Sequence, residues 1–535
     1  MSVNIRAALL DARVRFGIVL AVALGVRLFA LGTNPVEVHA DELAGLVGVS
    51  NILHGRAPLV PFFDLRIEYL PLYGIFETLS TSLLGVSPFA MRLPAALLGV
   101  VSVVALRRLV LELTSPRAGA RAASPLGLRV ASSFDEGAEG IAPAGRPILA
   151  DGAAAIFAIL PWAIHLSRLG LENAAVFPFL LGGLAALARG LRLRERSPLL
   201  LAGVLLGIGA YSYRAEPIDA LLLAGALLIS RPHDRRALVR PLLLAAGISA
   251  ALVTPLAAGV ATHQHFFWRD ANIATFGHGY TSAAFGTFVH NYVAHFAVGP
   301  LFAYGDGILD HGPHYGELYW WMLPFLLGGL FTAAGIVGRA NALFFFVWLA
   351  IYPLGGALTN DGVPDFARTM IGAPLACIMT AIGLRAVWLR VNAFSKPARL
   401  GASRAPLRAF VAVAFAGVIA FAFADFDRVY FAAYPAAAAD QFKYGTADLF
   451  ARVRALGTGD RRVCFASLDW YNYDTYVDFY MAGSPLVPIE GLPAACAGPR
   501  SLIVVDAPSK APADSKLIGV QQTYEGGIMA YIYQT

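Results

Sequence analysis

Long apolar runs separated by short polar segments run through most of the chain, and only the last hundred residues break this pattern. A helix needs about twenty mostly apolar residues to cross the hydrocarbon core of a membrane. Eleven runs approach or reach this length and predict membrane-spanning helices. They cover residues 16–31, 91–113, 148–166, 174–188, 199–212, 217–230, 241–261, 318–337, 342–358, 369–384 and 409–424.

The placement of Lys and Arg orients these helices. With the N-terminus inside, the predicted cytoplasmic segments hold 24 of the 32 Lys and Arg residues that precede the tail, together with 8 acids. The predicted outer loops hold 8 Arg and 15 acids. This is the asymmetry that the positive-inside rule requires, provided that the apolar stretch 69–84 does not span. We therefore predict a juxtamembrane helix for residues 69–84.

Three predicted outer segments are too long to be simple connectors: residues 32–90, 262–317 and 425–535. The last mixes predicted helices at 445–456 and 474–481 with short β-like runs at 463–466, 502–505, 517–520 and 529–533. We expect two domains, a membrane domain over residues 1–424 and a small outer α/β domain over residues 425–535.

Composition narrows the class of protein. The chain is 57% hydrophobic and 14% charged, which excludes a soluble globular protein. The formal net charge of +6 predicts no nucleic-acid partner, because the cations lie in short loops where lipid head groups explain them. Two of the three cysteines, Cys464 and Cys496, lie in the tail. They pair if the tail faces an oxidising compartment, and the alternative is two buried thiols.

Acidic residues follow the first apolar run directly, as Glu37, Asp41 and Glu42 with His39 among them. A carboxylate here could act as a general base toward an acceptor hydroxyl. Alternatively, Asp41 caps the helix that begins there and Glu42 complements its dipole. Position alone leaves both interpretations open.

Further motifs follow in order along the chain. They are the segment Tyr69-Leu70-Pro71-Leu72-Tyr73, the segment Arg92-Leu93-Pro94 that opens the second run, His165-Leu166-Ser167-Arg168 with Glu172, and Tyr211-Ser212-Tyr213-Arg214. Over roughly residues 15–390 this order resembles the GT-C membrane glycosyltransferases of the protein O-mannosyltransferase and aminoarabinose-transferase superfamily.

The resemblance implies a GT-C fold of about eleven transmembrane helices in a bacterial inner membrane, with a periplasmic active site. It also implies a polyprenyl-phosphate-linked sugar donor and a lipid, glycan or protein acceptor. It makes Asp41 the catalytic base of an inverting transfer, Glu42 its neighbour and Glu172 a second acid. Tyr69, Tyr73 and Arg92 become substrate-binding residues.

Arginines at the membrane edge are candidate ligands of the donor phosphate, since a guanidinium binds phosphate with two parallel hydrogen bonds. Relatives place a basic residue on the donor phosphate where this chain has Arg214. We predict phosphate binding by Arg214, Arg168 and Arg368, each in a short outer loop. The alternative is an arginine that extends to the interface or pairs with a nearby acid.

The long outer loop ends in a segment rich in Gly, His and acids, residues 304–317. From it we predict Asp306, His311 and His314 as substrate-binding residues, since relatives have a similar segment that covers the sugar pocket. Imidazole and carboxylate groups also bind divalent metals. We expect no cofactor and no metal, with a divalent metal as the alternative.

Other functions fit parts of the pattern. A transporter or flippase of lipid-linked sugars would be polytopic, but would show internal repeats and ionisable residues near the midplane. A polymerase or ligase of lipid-linked glycans differs little in sequence, and an envelope scaffold would need no acidic pair. The ionisable residues here collect at the outer ends of the helices, which favours surface chemistry.

Overall fold

The computed structural model describes residues 11–56, 71–116, 145–231, 238–262, 273–394, 405–457, 462–466, 473–481, 487–490 and 501–535. Its α-helices in these ranges are, in chain order, α1 (Ala12–Leu28), α2 (Ala40–Leu53), α3 (Pro71–Leu84), α4 (Pro88–Thr114), α5 (Gly145–Ile159), α6 (Pro161–Leu166), α7 (Val176–Leu193), α8 (Arg196–Gly209), α9 (Glu216–Ile229), α10 (Val239–Thr262), α11 (Ser282–Ala294), α12 (Met322–Val337), α13 (Arg339–Ile351), α14 (Leu354–Ala357), α15 (Gly372–Phe394), α16 (Ala405–Arg428), α17 (Tyr434–Ala437), α18 (Thr446–Leu456) and α19 (Tyr473–Tyr480). The strands are β1 (Arg462–Ala466), β2 (Val487–Glu490), β3 (Leu502–Val505), β4 (Lys516–Gln522) and β5 (Ile528–Gln534).

Each of the eleven apolar runs overlaps a helix in the described ranges, and two runs are interrupted. The third breaks between α5 and α6, where Pro161 takes the first helical position because it has no N–H to donate. Six of the described helices are long and apolar enough to cross a membrane. They are Pro88–Thr114, Glu172–Leu193, Val239–Gly259, Arg339–Ala357, Gly372–Ala393 and Arg408–Ala437. The chain is therefore a multi-pass membrane protein, and the count of eleven spans stays a prediction.

The chain divides into two compact units. The first comprises Met1–Phe29 and Ala95–Arg428, and the second comprises Ala30–Pro94 and Val429–Thr535. The sequence-based division at residue 424 left residues 30–94 with the membrane domain. The structure instead packs this segment with the C-terminal residues, because its apolar side chains complete their core.

Close helix packing organises the first unit, most extensively between α12 and α15. A side chain at Gly329 would collide with the carbonyl of Met379, and one at Gly383 would collide with the carbonyl of Phe325. Small residues let two helix backbones approach in this way, which is the usual basis of helix association in membranes.

A five-stranded sheet of order β2-β1-β3-β5-β4 forms the centre of the second unit. Strand β1 is parallel to β2 and β3, whereas β5 is antiparallel to β3 and β4. All four predicted β-like runs lie in strands and both predicted tail helices are present, but β2 was not expected. Its segment, Val487–Glu490, carries a proline and an acid in four residues, which weakens the strand pattern.

Residues of the 30–94 segment belong to the core of this second unit. Val38, Leu43 and Met91 pack in one buried cluster with Phe450 of α18 and Ile532 of β5. The hydroxyl of the buried Tyr476 on α19 donates a hydrogen bond to the carbonyl of Val38 at 3.3 Å. The sheet therefore supports the start of α2, where the predicted acids lie.

The predicted juxtamembrane helix is present as α3, which packs against α2. A side chain at Gly74 would lie 2.6 Å from the carbonyl oxygen of Gly45, so the two helices are in backbone contact. Tyr69, at the start of the predicted helix, lies outside the described residues.

Candidate functional site

The start of α2 is held by a capping box in which His39 is the N-cap and Glu42 reaches back to it. The His39 N–H donates to Glu42 Oε2 at 3.0 Å. Glu42 is fully buried and also pairs with the fully buried Arg92, whose Nε lies 2.7 Å from Oε1 and whose Nη2 lies 2.9 Å from Oε2. Both carboxylate oxygens of Glu42 therefore already accept hydrogen bonds.

Arg92 has further partners that fix the chain before α2. Its Nη1 donates to the carbonyl of Pro35 at 2.9 Å, and its Nη2 donates to that of Glu37 at 2.5 Å. Every nitrogen of this guanidinium has an acceptor within the second unit. Arg92 thus joins the first turn of α2 to the preceding loop, whereas the sequence predicted a substrate contact.

Asp41 differs from its neighbour in exposure. Its side chain is 37% exposed, and its Oδ2 lies 3.6 Å from His39 Nδ1. The backbone N–H of Asp41 also donates to that nitrogen at 3.3 Å. Because a backbone N–H can only donate, Nδ1 is an acceptor here and carries no proton. Asp41 is therefore the accessible carboxylate of the pair, next to the imidazole of His39.

Two further groups border this region. Tyr73 is buried and its hydroxyl donates to the carbonyl of Met91 at 2.7 Å, which ties α3 to α4. Burial raises the pKa of Glu37, although hydrogen bonds from the backbone of Val38 and Gly445 and the charge of Arg92 oppose the shift. The region therefore holds three carboxyl groups of different character: Glu42 is fully buried, whereas Glu37 and Asp41 are partly exposed.

A second cluster forms in the first unit, around the Gly-rich segment predicted from sequence. His311 Nδ1 lies 2.8 Å from Asp306 Oδ2 and 3.9 Å from Asp365 Oδ1. Asp306 also accepts the N–H of Ile308 at 3.0 Å and that of Phe366 at 3.1 Å. Two chain segments about sixty residues apart are thus joined by one histidine between two aspartates.

The charges of this cluster shift its titration. Burial lowers the pKa of His311, but the hydrogen bond to Asp306 and the charges of Asp365 and Asp306 outweigh it and bring the pKa to about 10. Burial opposes a low pKa of Asp306, yet the hydrogen bond and charge of His311 hold it below its usual range. At neutral pH the cluster is therefore an imidazolium between two carboxylates.

Arg368 extends the cluster on the other side of Asp365. Its Nε lies 3.1 Å from Asp365 Oδ2, and its Nη2 lies 3.0 Å from Asp361 Oδ2. Its Nη1 donates to the hydroxyl of Thr359 at 2.7 Å. Burial lowers the pKa of Arg368, but the charge of Asp365 and the neighbouring Tyr213 and Asp361 more than compensate. This guanidinium is thus oriented by two acids.

Tyr213 brings two more predicted residues close to this cluster. Burial first, and then the charge of Asp365, raises the pKa of Tyr213, and Glu172 acts in the same direction. Arg368 and Arg214 oppose the shift. These four charged groups therefore lie within electrostatic range of one phenol. Three of them, Glu172, Arg214 and Arg368, were predicted from sequence.

Two buried groups support the cluster. The N–H of Asp365 donates to His295 Nε2 at 3.0 Å, so this imidazole is neutral with its proton on Nδ1, directed at the carbonyl of Asn291 at 2.7 Å. Glu317 is buried, and desolvation together with the charge of Asp306 raises its pKa well above the usual value. Burial of Glu317 therefore favours its uncharged form.

Two predicted residues lie apart from both clusters. Arg168 is fully buried, and its Nη1 donates to the carbonyls of Val26, Arg27 and Phe29 at 2.7–3.0 Å. These are the last carbonyls of α1, which need partners at any helix end. His314 is exposed. The geometry thus gives Arg168 a capping position.

Asp306, His311 and Asp365 each offer one ligand atom within 4.8 Å of the others, which suits a divalent ion in principle. However, the carboxylates of Asp306 and Asp365 already contact the protonated imidazole of His311, and Asp365 also pairs with Arg368. A metal would have to displace the proton of His311 before it could bind.

Sequence reasoning missed Asp365 and His295 as members of the site, and it included Glu317 only as part of the segment 304–317. Asp365 and Arg368 stand three residues apart, just before a predicted span, and that spacing was the available signal. No local pattern connects them to Asp306.

Among the cysteines, Cys464 is disulfide-bonded and Cys377 is a buried free thiol, while Cys496 lies outside the described residues.

No protein-family model matches the chain, and no curated protein matches it in sequence. Solved structures do match. ArnT from Cupriavidus metallidurans, in a crystal structure with undecaprenyl phosphate bound, is 13% identical and covers 97% of both chains with a TM-score of 0.58. The apo state of the same enzyme gives a TM-score of 0.55 over the same coverage.

The chain has the fold of ArnT. This likeness agrees with the fold expected from the ordered motifs. The Saccharomyces cerevisiae protein O-mannosyltransferase Pmt1-Pmt2 complex, bound to its sugar donor, also matches, with 18% identity over 49% of this chain and 34% of that one. Its TM-score of 0.32 is too low to support an argument.

Proposed function

We propose that the protein is a membrane glycosyltransferase that transfers a sugar from a polyprenyl-phosphate donor to a lipid, glycan or protein acceptor. The supporting observation is a fold shared over 97% of the chain with ArnT, which binds undecaprenyl phosphate. The Arg214 and Arg368 side chains, both within range of Tyr213, supply the positive charge that such a donor requires.

The donor phosphate is assigned to Arg214 first. Arg368 is already held by Asp361 and Asp365. Arg168 uses its Nη1 on three helix carbonyls. Arg214 is half-buried in the loop before α9, and a guanidinium there can bind phosphate with two parallel hydrogen bonds.

Asp41 is assigned as the general base. It accepts the proton of the acceptor hydroxyl while the hydroxyl oxygen attacks the anomeric carbon. The bond between that carbon and the phosphate oxygen breaks, and polyprenyl phosphate leaves with the electron pair. A single displacement inverts the anomeric centre. Glu42 is unsuited to this step, because both its oxygens are used by Arg92 and His39.

The transfer is proposed to need no metal. Phosphate is a competent leaving group once its charge is neutralised. In the first unit the protonated His311 supplies the positive charge between Asp306 and Asp365 that a divalent ion would otherwise provide.

Charge and cysteine chemistry support a proposal for the compartment. We propose that residues 30–94 and 429–535 lie on the outer side of a bacterial inner membrane, as eleven predicted spans with a cytoplasmic N-terminus favour. A disulfide at Cys464 supports an oxidising compartment for the second unit.

The decisive test uses the purified full-length protein in lipid nanodiscs with a panel of polyprenyl-phosphate sugars and an extract of envelope acceptors. Lipid-linked sugars that accumulate after deletion of the gene in the native host define which panel member to use. Donor-dependent release of polyprenyl phosphate, together with glycosylated acceptor, would support the proposal. The proposal would be overturned if none of the accumulated lipids were consumed as donor and no acceptor became glycosylated.

The same experiment separates the rival functions. A transporter or flippase moves the lipid-linked sugar between leaflets without breaking the phosphate ester. A polymerase or ligase consumes a diphosphate-linked glycan and releases the lipid diphosphate. The released lipid therefore identifies the reaction class.

A further inference from the structure

The second unit contains a half-open cleft of about 630 Å³ that is distinct from the start of α2. Its walls are the segment after α17 and the turn between β4 and β5, with Asp506 after β3. Ligand pockets in proteins typically measure about 300–1,000 Å³ and combine aromatic walls with a few polar groups. The cleft falls within that range.

Two tyrosines form the aromatic part of the cleft. Tyr444 and Tyr524 are 37% and 46% exposed, and their rings meet edge to face with centroids 5.1 Å apart. Exposed tyrosine rings present an apolar face and a hydroxyl, so they suit ligands that are apolar on one face and polar at the edge. A pyranose ring has this character, with C–H groups on its face and hydroxyls around its rim.

Both walls are held by local backbone structure. The N–H of Gly526 donates to the carbonyl of Thr523 at 3.1 Å, which closes a turn with Tyr524 at its tip. On the facing wall, Lys443 has a φ of 50°, a left-handed conformation that costs energy for a residue with a side chain. The two walls are therefore pre-shaped, which reduces the entropy lost on binding.

The charges of the cleft are largely balanced. Asp506 pairs with Lys510 at 2.8 Å, and Asp440 lies 3.9 Å from Lys443. Glu525 is the remaining charged group on the walls. A strongly cationic or anionic ligand would thus meet both signs of charge, whereas a neutral ligand with several hydroxyls would meet carboxylate acceptors and a lysine donor.

Asp506 offers the cleft a carboxylate acceptor. Its side chain is 24% exposed, and its Oδ2 accepts a hydrogen bond from Lys510 Nζ at 2.8 Å. A carboxylate oxygen has two lone pairs, so Oδ2 can also accept from a ligand hydroxyl.

We propose that this cleft of the C-terminal sheet is a binding site for neutral saccharides. One sugar ring stacks on Tyr524 or Tyr444, and its hydroxyls donate to Asp506 and Glu525. The site goes beyond the proposed transferase function, and it binds a sugar without cleaving any bond.

Binding is tested on the full-length protein in nanodiscs without any donor, by saturation-transfer NMR. The probes are neutral hexasaccharides of glucose, mannose and galactose, each as a free sugar and as a lipid-anchored form in the same nanodisc. Hexagalacturonate and hexalysine are the charged controls. We expect at least one neutral hexasaccharide to bind. Comparison of its free and lipid-anchored forms shows whether the site takes a soluble saccharide or one attached to the membrane.

Variants then locate the binding. Tyr524→Ala and Asp506→Ala should each weaken it by about fivefold or more. Leu517→Ala and Asp514→Asn, at exposed positions of the same unit that do not border the cleft, are the matched controls. Glu525→Gln lies at the tip of a turn, so it tests the site even if a folding defect in the other variants obscures their effect on binding.

Three outcomes would overturn the proposal: no binding of any neutral hexasaccharide, preferential binding of hexalysine, or equal binding by Tyr524→Ala, Glu525→Gln and the controls. Because no donor is present, failure of this site and failure of the transferase function are observed separately.

Discussion

Asp41 and Glu42 are adjacent in sequence, yet their side chains have different environments. Glu42 is fully buried against Arg92, while the side chain of Asp41 is 37% exposed beside His39. The helical turn directs one side chain into the core of the second unit and leaves the other at its surface. Single-residue substitutions can therefore separate a chemical role from a structural one.

Asp41→Asn should lower the transfer rate by about a hundredfold to ten-thousandfold, because the base is lost while the size of the side chain is kept and the cap of α2 is His39. The measurement is single-turnover transfer at saturating donor, with the melting temperature as the control for folding. A rate close to that of the unaltered protein would place the base elsewhere, with Glu172 the next candidate.

Arg214→Lys should retain more activity than Arg214→Ala, since lysine keeps the charge but cannot form two parallel hydrogen bonds to phosphate. The expected difference lies in donor affinity, measured by titration of the polyprenyl-phosphate sugar. Arg168→Lys serves as the comparison, and it should lower stability because that guanidinium caps α1. Unchanged donor affinity in both Arg214 variants would remove the phosphate role.

His311 should make stability depend on alkaline pH. Its pKa is about 10 in the folded protein against 6.5 for an ordinary histidine, so its stabilisation is complete below pH 6.5 and declines as pH rises toward 10. The melting temperature should therefore fall more between pH 7 and pH 9.5 in the unaltered protein than in His311→Gln. Parallel pH profiles would show that the pair with Asp306 is not charged.

At the scale of secondary structure, the start of α2 depends on the pair of Glu42 and Arg92, which is buried and hydrogen-bonded at both oxygens. Such pairs specify a local conformation more than they add stability. Removal of one partner leaves the other charge buried, which is the costly event.

Glu42→Gln should accordingly destabilise the protein by about 3–5 kcal/mol, because the amide keeps the capping position but leaves the charge of Arg92 unpaired. Thermal unfolding monitored by tryptophan fluorescence measures this loss, with Asp41→Asn as the matched control that stays near the unaltered value. The double variant Glu42→Gln with Arg92→Met should recover part of the loss. A double variant as unstable as the sum of the two single ones would show that the residues do not interact.

At the scale of the whole molecule, the eleven apolar runs and the placement of Lys and Arg predict a cytoplasmic N-terminus and an outer C-terminal unit. Reporter fusions after Arg129 should report the cytoplasm, and fusions after Gly459 the outer side. A fusion after Asn360, in the segment before α15, adds an outer position within the first unit. A cytoplasmic signal at Gly459 would reverse the assignment of the compartment.

The sequence by itself determined the helices, because an apolar run long enough for a membrane has few other ways to satisfy its backbone. It also made Asp41, Arg214 and His311 candidate site residues, since polar groups at the membrane edge are rare. Four of the five tail strands were predicted from short β-like runs, and β2 was not.

Only the tertiary structure decided which of these residues work together. Packing across fifty residues pairs Glu42 with Arg92, and packing across fifty-four brings His311 toward Asp365. The grouping of residues 30–94 with the C-terminal sheet likewise arises from a shared apolar core. A local pattern reports the periodicity of one segment and whether that segment faces lipid or water. Which side chains contact one another depends on where separate segments pack, and no local spacing encodes that.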